Sequence, residues 1–135
     1  MVTGTIVTIK PIFVMYVAGL KGAPIAEQAP MAFQQLEDKL SSLKGRKFYG
    51  IIIGNEYRAC VAIGQNSYVS SLPYPTWTIP GGRYIRRKIP DWEKNLHLIG
   101  RSFDDLCGLP DFDSSRPLIE FYRSQKELLL MVPVR

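Results

Sequence analysis

The sequence predicts an α+β fold: two strand–helix–hairpin units, related by a pseudo-twofold axis, forming a duplicated antiparallel sheet with two helices and a central cleft. Three observations predict it. The same order of patterns occurs twice, offset by roughly 70 residues. Each copy has one helical apolar stripe after a long β-rich run. Each copy then closes with two short β-rich runs around a turn signal.

In the first copy, residues 4–19 are rich in Thr, Ile, Val, Phe and Tyr and read as a long strand containing Pro11. Residues 20–28, with Gly22 and Pro24, read as a loop. Residues 30–43 read as a helix, because Pro30 suits a first turn and Phe33, Leu36, Leu40 and Leu43 share one face. Gly45 stops it. Residues 47–53 and 57–63 form a hairpin about Gly54-Asn55.

Residues 66–73, with Asn66, two serines and Pro73, read as a linker. The second copy opens with a long strand over 74–89, bent by a bulge at Pro80-Gly81-Gly82. Residues 91–107 read as a helix with Asp91 as N-cap and a buried stripe of Trp92, Leu96, Ile99, Phe103 and Leu106. Gly108 and Pro110 end it. Residues 117–123 and 127–134 form a second hairpin around Ser124-Gln125-Lys126. The whole of 1–135 is thus one domain with internal repeats at about 4–64 and 74–135. One unit alone would leave a sheet face wet; joining two leaves a groove at their junction, where ligand sites tend to lie.

Apolar residues make up 46% and charged residues 21%, which excludes disorder as the default. No apolar run approaches the roughly 20 residues of a membrane span. The N-terminus lacks a basic stretch followed by an apolar one, so a cytoplasmic location is expected. The two cysteines, Cys60 and Cys107, lack metal-ligand spacing and read as free thiols. The net charge is +5; the densest basic run, Arg83–Lys88, reads as a solvated strand end, and direct nucleic-acid binding is not expected. His97 stands without a second histidine, so no metal site is expected, and no cofactor motif or nucleophile elbow is present.

Glu120 is the most suggestive residue. It interrupts the apolar run Pro117-Leu-Ile-Glu-Phe-Tyr-Arg123. Alternation places Leu118, Glu120 and Tyr122 on one face, expected to line the groove, and Ile119 and Phe121 on the other, expected to pack under the helix. A carboxylate among apolar and aromatic groups must be protonated, paired or ready for a cation. Tyr49, Tyr57, Trp77, Tyr84, Phe121 and Tyr122 all fall on expected strands, and rings around a carboxylate suit an organic cation. Trp92 is assigned instead to the helix-to-sheet core. Glu56 and Glu27 are second carboxylates that read as surface charges.

Three segments resemble motifs of the GyrI-like small-molecule-binding superfamily, which includes effector-binding domains of AraC-type and MerR-type regulators. They are Thr78-Ile-Pro-Gly-Gly-Arg-Tyr84, Ile119-Glu-Phe-Tyr122 and Leu130-Met-Val-Pro-Val134. The resemblance implies a stand-alone effector-binding module for lipophilic, cationic aromatic molecules, with Glu120 as the carboxylate and Tyr84 as the motif tyrosine. It leaves open a hydrolase of cyclopropane-bearing compounds acting through Glu120. It also leaves open a protein-interaction role such as DNA gyrase inhibition. The corresponding partners are a small molecule, a separate regulator, gyrase, or a second copy through an edge strand. In one departure, Tyr57-Arg-Ala-Cys-Val61 places Cys60 where the family has glycine, and a side chain there is expected to narrow the cleft.

Overall fold

The computed structural model describes residues 4–64 and 72–135. Met1 to Thr3 and most of the expected linker, including Asn66, lie outside the described residues. The chain is α+β, with one curled antiparallel sheet and two helices on the same face of it.

In the first half, strands β1 (Thr5–Ile9) and β2 (Ile12–Ala18) precede helix α1 (Ile25–Asp38) and the hairpin β3 (Phe48–Ile53) and β4 (Glu56–Ala62). In the second half, β5 (Thr76–Ile79) and β6 (Gly82–Pro90) precede a short 3-10 turn (Trp92–Lys94) and helix α2 (His97–Cys107). The hairpin β7 (Leu118–Tyr122) and β8 (Glu127–Pro133) follows.

Each expected long strand is two strands. Pro11 cannot donate to a ladder, and the chain breaks at Lys10-Pro11 and again at Pro80-Gly81. These links do more than bend a strand. The sheet order is β1-β6-β8-β7-β3-β4-β2-β5. β1 and β5 are its two edges, so each two-residue link carries the chain from one side of the sheet to the other. Two residues reach only about 7 Å. The sheet must therefore curl until its ends nearly meet, giving a half-barrel.

The curl creates two unlike faces. Inside the curve, Val14, Tyr49, Ile51, Cys60, Ile79, Tyr84, Ile119 and Met131 form one apolar cluster. Outside it, α1 buries Ala32 and Leu36 against Met15, Val17, Tyr57, Ala59 and Val61. On the other flank, α2 buries Phe103 and Leu106 against Ile85, Leu128, Leu130 and Val132. The expectation that Ile119 and Phe121 pack under a helix is therefore corrected. Both face the inner hollow, because both helices cover the opposite face, the one that carries Glu120.

Both helix boundaries also differ from expectation. α1 begins five residues early and ends at Asp38. Pro24 already opens it: the amides of Glu27 and Gln28 donate to the Pro24 carbonyl, leaving Pro30 in the interior. The expected 91–107 helix is divided at Asn95-Leu96. Asp91 adopts the left-handed conformation (φ 47°, ψ 49°) and makes no side-chain cap, so the chain turns once through Trp92–Lys94 before α2 starts. Leu96, assigned to the buried stripe, is 59% exposed. The two hairpin turns lie where the Gly54-Asn55 and Ser124–Lys126 signals place them.

Candidate functional site

The two helices sit on opposite flanks of the outer sheet face and leave β3 and β7 uncovered between them. A cleft of about 930 Å³ occupies that gap. Its floor is the central strand pair. Gly50 stands opposite Glu120, and Phe48 opposite Tyr122. Tyr57 joins them from β4, because the tight turn sets it opposite Ile52 on the same face. Phe33 of α1 and Trp92 of the 3-10 turn wall the two sides.

Glu120 lies at the floor, 6% exposed. The Tyr57 hydroxyl donates to its Oε1 at 2.6 Å, and the Tyr122 hydroxyl donates to the same oxygen at 2.9 Å. The two hydroxyls are themselves 3.4 Å apart. No described residue donates to Oε2, and no arginine, lysine or histidine pairs with the carboxyl. Burial pushes its pKa above the usual carboxylate range, while the two hydroxyl donors pull the other way. Burial and the neighbouring carboxyl push both tyrosines up, so they stay as protonated donors.

This arrangement depends on a glycine. A Cβ at Gly50 would run into the Tyr57 hydroxyl and the Glu120 carboxylate. Only the bare backbone at that position lets the carboxylate and phenol lie flat across the neighbouring strand.

The rings form a continuous wall. Phe33 meets Tyr122 edge-on at 5.2 Å between centroids, and Trp92 meets the same ring edge-on at 5.1 Å. Phe33 also meets Phe48 and Tyr57 edge-on. Trp92 is held by its indole N–H donating to the Ser124 carbonyl at 3.1 Å. Gln28 fixes the other side. Its amide donates to the carbonyls of Ala23 and Asn55, and its oxygen accepts from the Tyr57 backbone N–H, tying α1 to the strand that carries Tyr57. The remaining charged lining is Glu37, Glu93, Arg46 and Arg123. Both guanidiniums are engaged, Arg46 with the Ser42 carbonyl and Arg123 with Glu127.

Of the residues singled out from sequence, Glu120, Tyr57 and Tyr122 meet in this cleft. Tyr49, Phe121, Trp77 and Tyr84 belong to the inner face instead. Tyr49 and Phe121 stack there at 4.8 Å, and Trp77 packs edge-on to Tyr16. The Tyr84 hydroxyl donates to the Pro80 carbonyl at 2.6 Å, with Arg116 over its ring. Cys60 also faces inward, opposite Tyr49 and Tyr16, so its side chain does not narrow the cleft. Glu56 pairs with Arg58, and Glu27 is exposed on α1. Phe33, Phe48 and Trp92 are the ring residues the sequence reading did not assign to the site. His97 is exposed at the start of α2.

No family model matches the chain, and no curated protein matches it. Solved structures do. An integron cassette protein from the mobile metagenome of Vibrio cholerae superposes with a TM-score of 0.75 at 13% identity, over 98% of this chain and 96% of that one. SAV2435, in a structure bound to tetraphenylphosphonium, gives 0.60 at 11% identity, over 98% and 94%. A candidate bacterial transcription regulation protein from Staphylococcus aureus MU50 gives 0.63 at 11% identity, over 100% and 99%. The fold is shared. At these identities the likeness extends to the architecture and no further. Among the described residues no helix is long and apolar enough to cross a membrane.

Proposed function

We propose that the cleft between α1 and α2 binds lipophilic organic cations, with Glu120 as the counter-charge and Tyr57, Tyr122, Phe33, Phe48 and Trp92 as the ring cage. The observation that carries this reading is a buried carboxyl whose only partners among the described residues are two phenols, at the floor of an apolar cleft. A structural carboxylate at such depth would ordinarily be matched by a cation from the protein. Here a ligand supplies it. Ring faces add about 0.5–2 kcal/mol of cation–π attraction where the site is desolvated. A lipophilic body suits the exposed leucines of the lining, Leu43 and Leu96.

The GyrI-like likeness of the three sequence segments supports the same reading, as does the tetraphenylphosphonium held by a protein of this fold. A regulatory role is supported by the candidate transcription regulation protein that shares the fold. The order of elements supports two related units. Shifting β3 by 70 residues brings Gly50 onto Glu120, and these two positions also face each other in the ladder. An axis relating two such units would pass between them, through the cleft.

Calorimetric titration of wild type and Glu120→Gln with tetraphenylphosphonium and with neutral triphenylphosphine oxide tests the reading. The expected result is a loss of about tenfold or more for the cation, roughly 1.4 kcal/mol, with little change for the neutral compound. Equal losses for both would remove the electrostatic account.

A further inference from the structure

The inner hollow of the half-barrel has a chemistry opposite to that of the outer cleft. A second cavity of about 470 Å³ opens there, bounded by β1, β6, β8 and β7. Val7, Ile9, Ile12, Leu129 and Met131 give it an apolar wall. The stacked rings of Tyr49 and Phe121, inclined by only 16°, add a flat aromatic surface. Its charged groups among the described residues are Arg86 and Arg123, and none of the described carboxylates lines it.

Arg86 is the informative one. It lies in the middle of β6, opposite Met131 on one side and Thr5 on the other, which turns it to the inner face. It is half-buried. Arg58, Arg87, Arg116 and Arg123 each have a carboxylate partner. Arg86 has no hydrogen-bond or ion-pair partner among the described residues. A guanidinium beside leucine, methionine and phenylalanine, with no carboxylate to meet it, is open to an incoming anion. Its planar fork suits an oxyanion accepting two hydrogen bonds.

From this cavity, we infer that the inner hollow is a second ligand site, selective for flat hydrophobic monoanions such as aromatic carboxylates or sulfonates. The anionic group sits on Arg86, and the ring system lies against the Tyr49–Phe121 stack. The sheet stands between this site and the cation cleft, with Arg123 just past β7 lining both.

Two probes with one ring system test it: 1-anilinonaphthalene-8-sulfonate, and N-phenyl-1-naphthylamine, which lacks the sulfonate. Fluorescence titration of the wild type is expected to show at least about tenfold tighter binding of the sulfonate. Arg86→Met is expected to bring the two within about threefold, while Arg86→Lys keeps only part of the preference, because the charge stays and the two-pronged fork is lost. Amide chemical shifts in the intact wild type give a reading that does not depend on how the variants fold. With the sulfonate they are expected to move at Ile9, Leu129 and Met131. No anion preference in the wild type, a preference that survives Arg86→Met, or shifts confined to Phe33 and Trp92 would each overturn the inference.

Discussion

The carboxyl of Glu120 carries a thermodynamic signature. Its pKa in the folded chain lies above the ordinary glutamate value, because burial disfavours the charge more than two hydroxyl donors favour it. The folded state therefore holds this proton more tightly than the unfolded state. The stability linked to that proton is full below the ordinary glutamate pKa and is lost as pH rises through the raised folded value. Glutamine keeps the acceptor oxygen for the two phenols and never ionises. Thermal melts of Glu120→Gln and wild type should thus agree near pH 4 and separate with rising pH, the variant melting higher. A gap of the same size at every pH would mean that the carboxyl is not the cause.

Other residues constrain the same spot without touching a ligand. Gly50 leaves the space in which the carboxylate and the Tyr57 hydroxyl meet. Gln28 satisfies three backbone groups at once and so fixes the distance between α1 and Tyr57. Period-2 alternation was enough to read Glu120 and Tyr122 as one face. It could not say which rings share that face on other strands. The turn could have. A two-residue loop at Gly54-Asn55 sets Ile53 opposite Glu56, and hence Ile52 opposite Tyr57. Tyr57 then shares a face with Phe48 and Gly50, and Tyr49 with Cys60 falls on the other. The turn and the register it sets thus suffice to separate Tyr57 from Tyr49.

At the scale of elements, the 3-10 turn is the unexpected contributor. An uninterrupted helix from Asp91 would have placed Trp92 one turn before α2 on its buried stripe. The left-handed Asp91 redirects the chain, and Trp92 leans on Tyr122 with its indole N–H on the Ser124 carbonyl. The sequence offers Pro90 and Asp91 as a helix start, and nothing local says that the first turn is cut off from the rest. Likewise Pro24 and Pro30 both suit a first turn, and only the tertiary anchoring of Gln28 favours the earlier one. Trp92→Ala should weaken tetraphenylphosphonium binding by about 0.5–2 kcal/mol while the far-ultraviolet circular dichroism is kept. Unchanged affinity would take Trp92 out of the cage.

Over the whole molecule, the sheet interleaves the two halves of the chain. β1 pairs with β6, and β2 with β5, so each half lends an edge strand to the other. The central ladder between β3 and β7 also joins the halves. A fragment of residues 1–64 would leave β1 without a ladder and expose the inner faces of Val14, Tyr49 and Ile51 to water. It should show no cooperative melt by itself, and mixing it with residues 65–135 should restore one. A first half with its own sharp transition would contradict this dependence.

The two short links between edges also bear on how quickly the molecule forms. Hairpins β3–β4 and β7–β8 join neighbours in sequence and can close within microseconds. The ladders β1–β6, β2–β5 and β3–β7 need strands from opposite halves, and the loop-closure entropy must be met before those contacts stabilise anything. Neither sheet edge exists until the second half has been made, so a ribosome-bound first half holds its inner apolar face open to water. The rate at which the curl closes then sets how long that face is exposed to other chains.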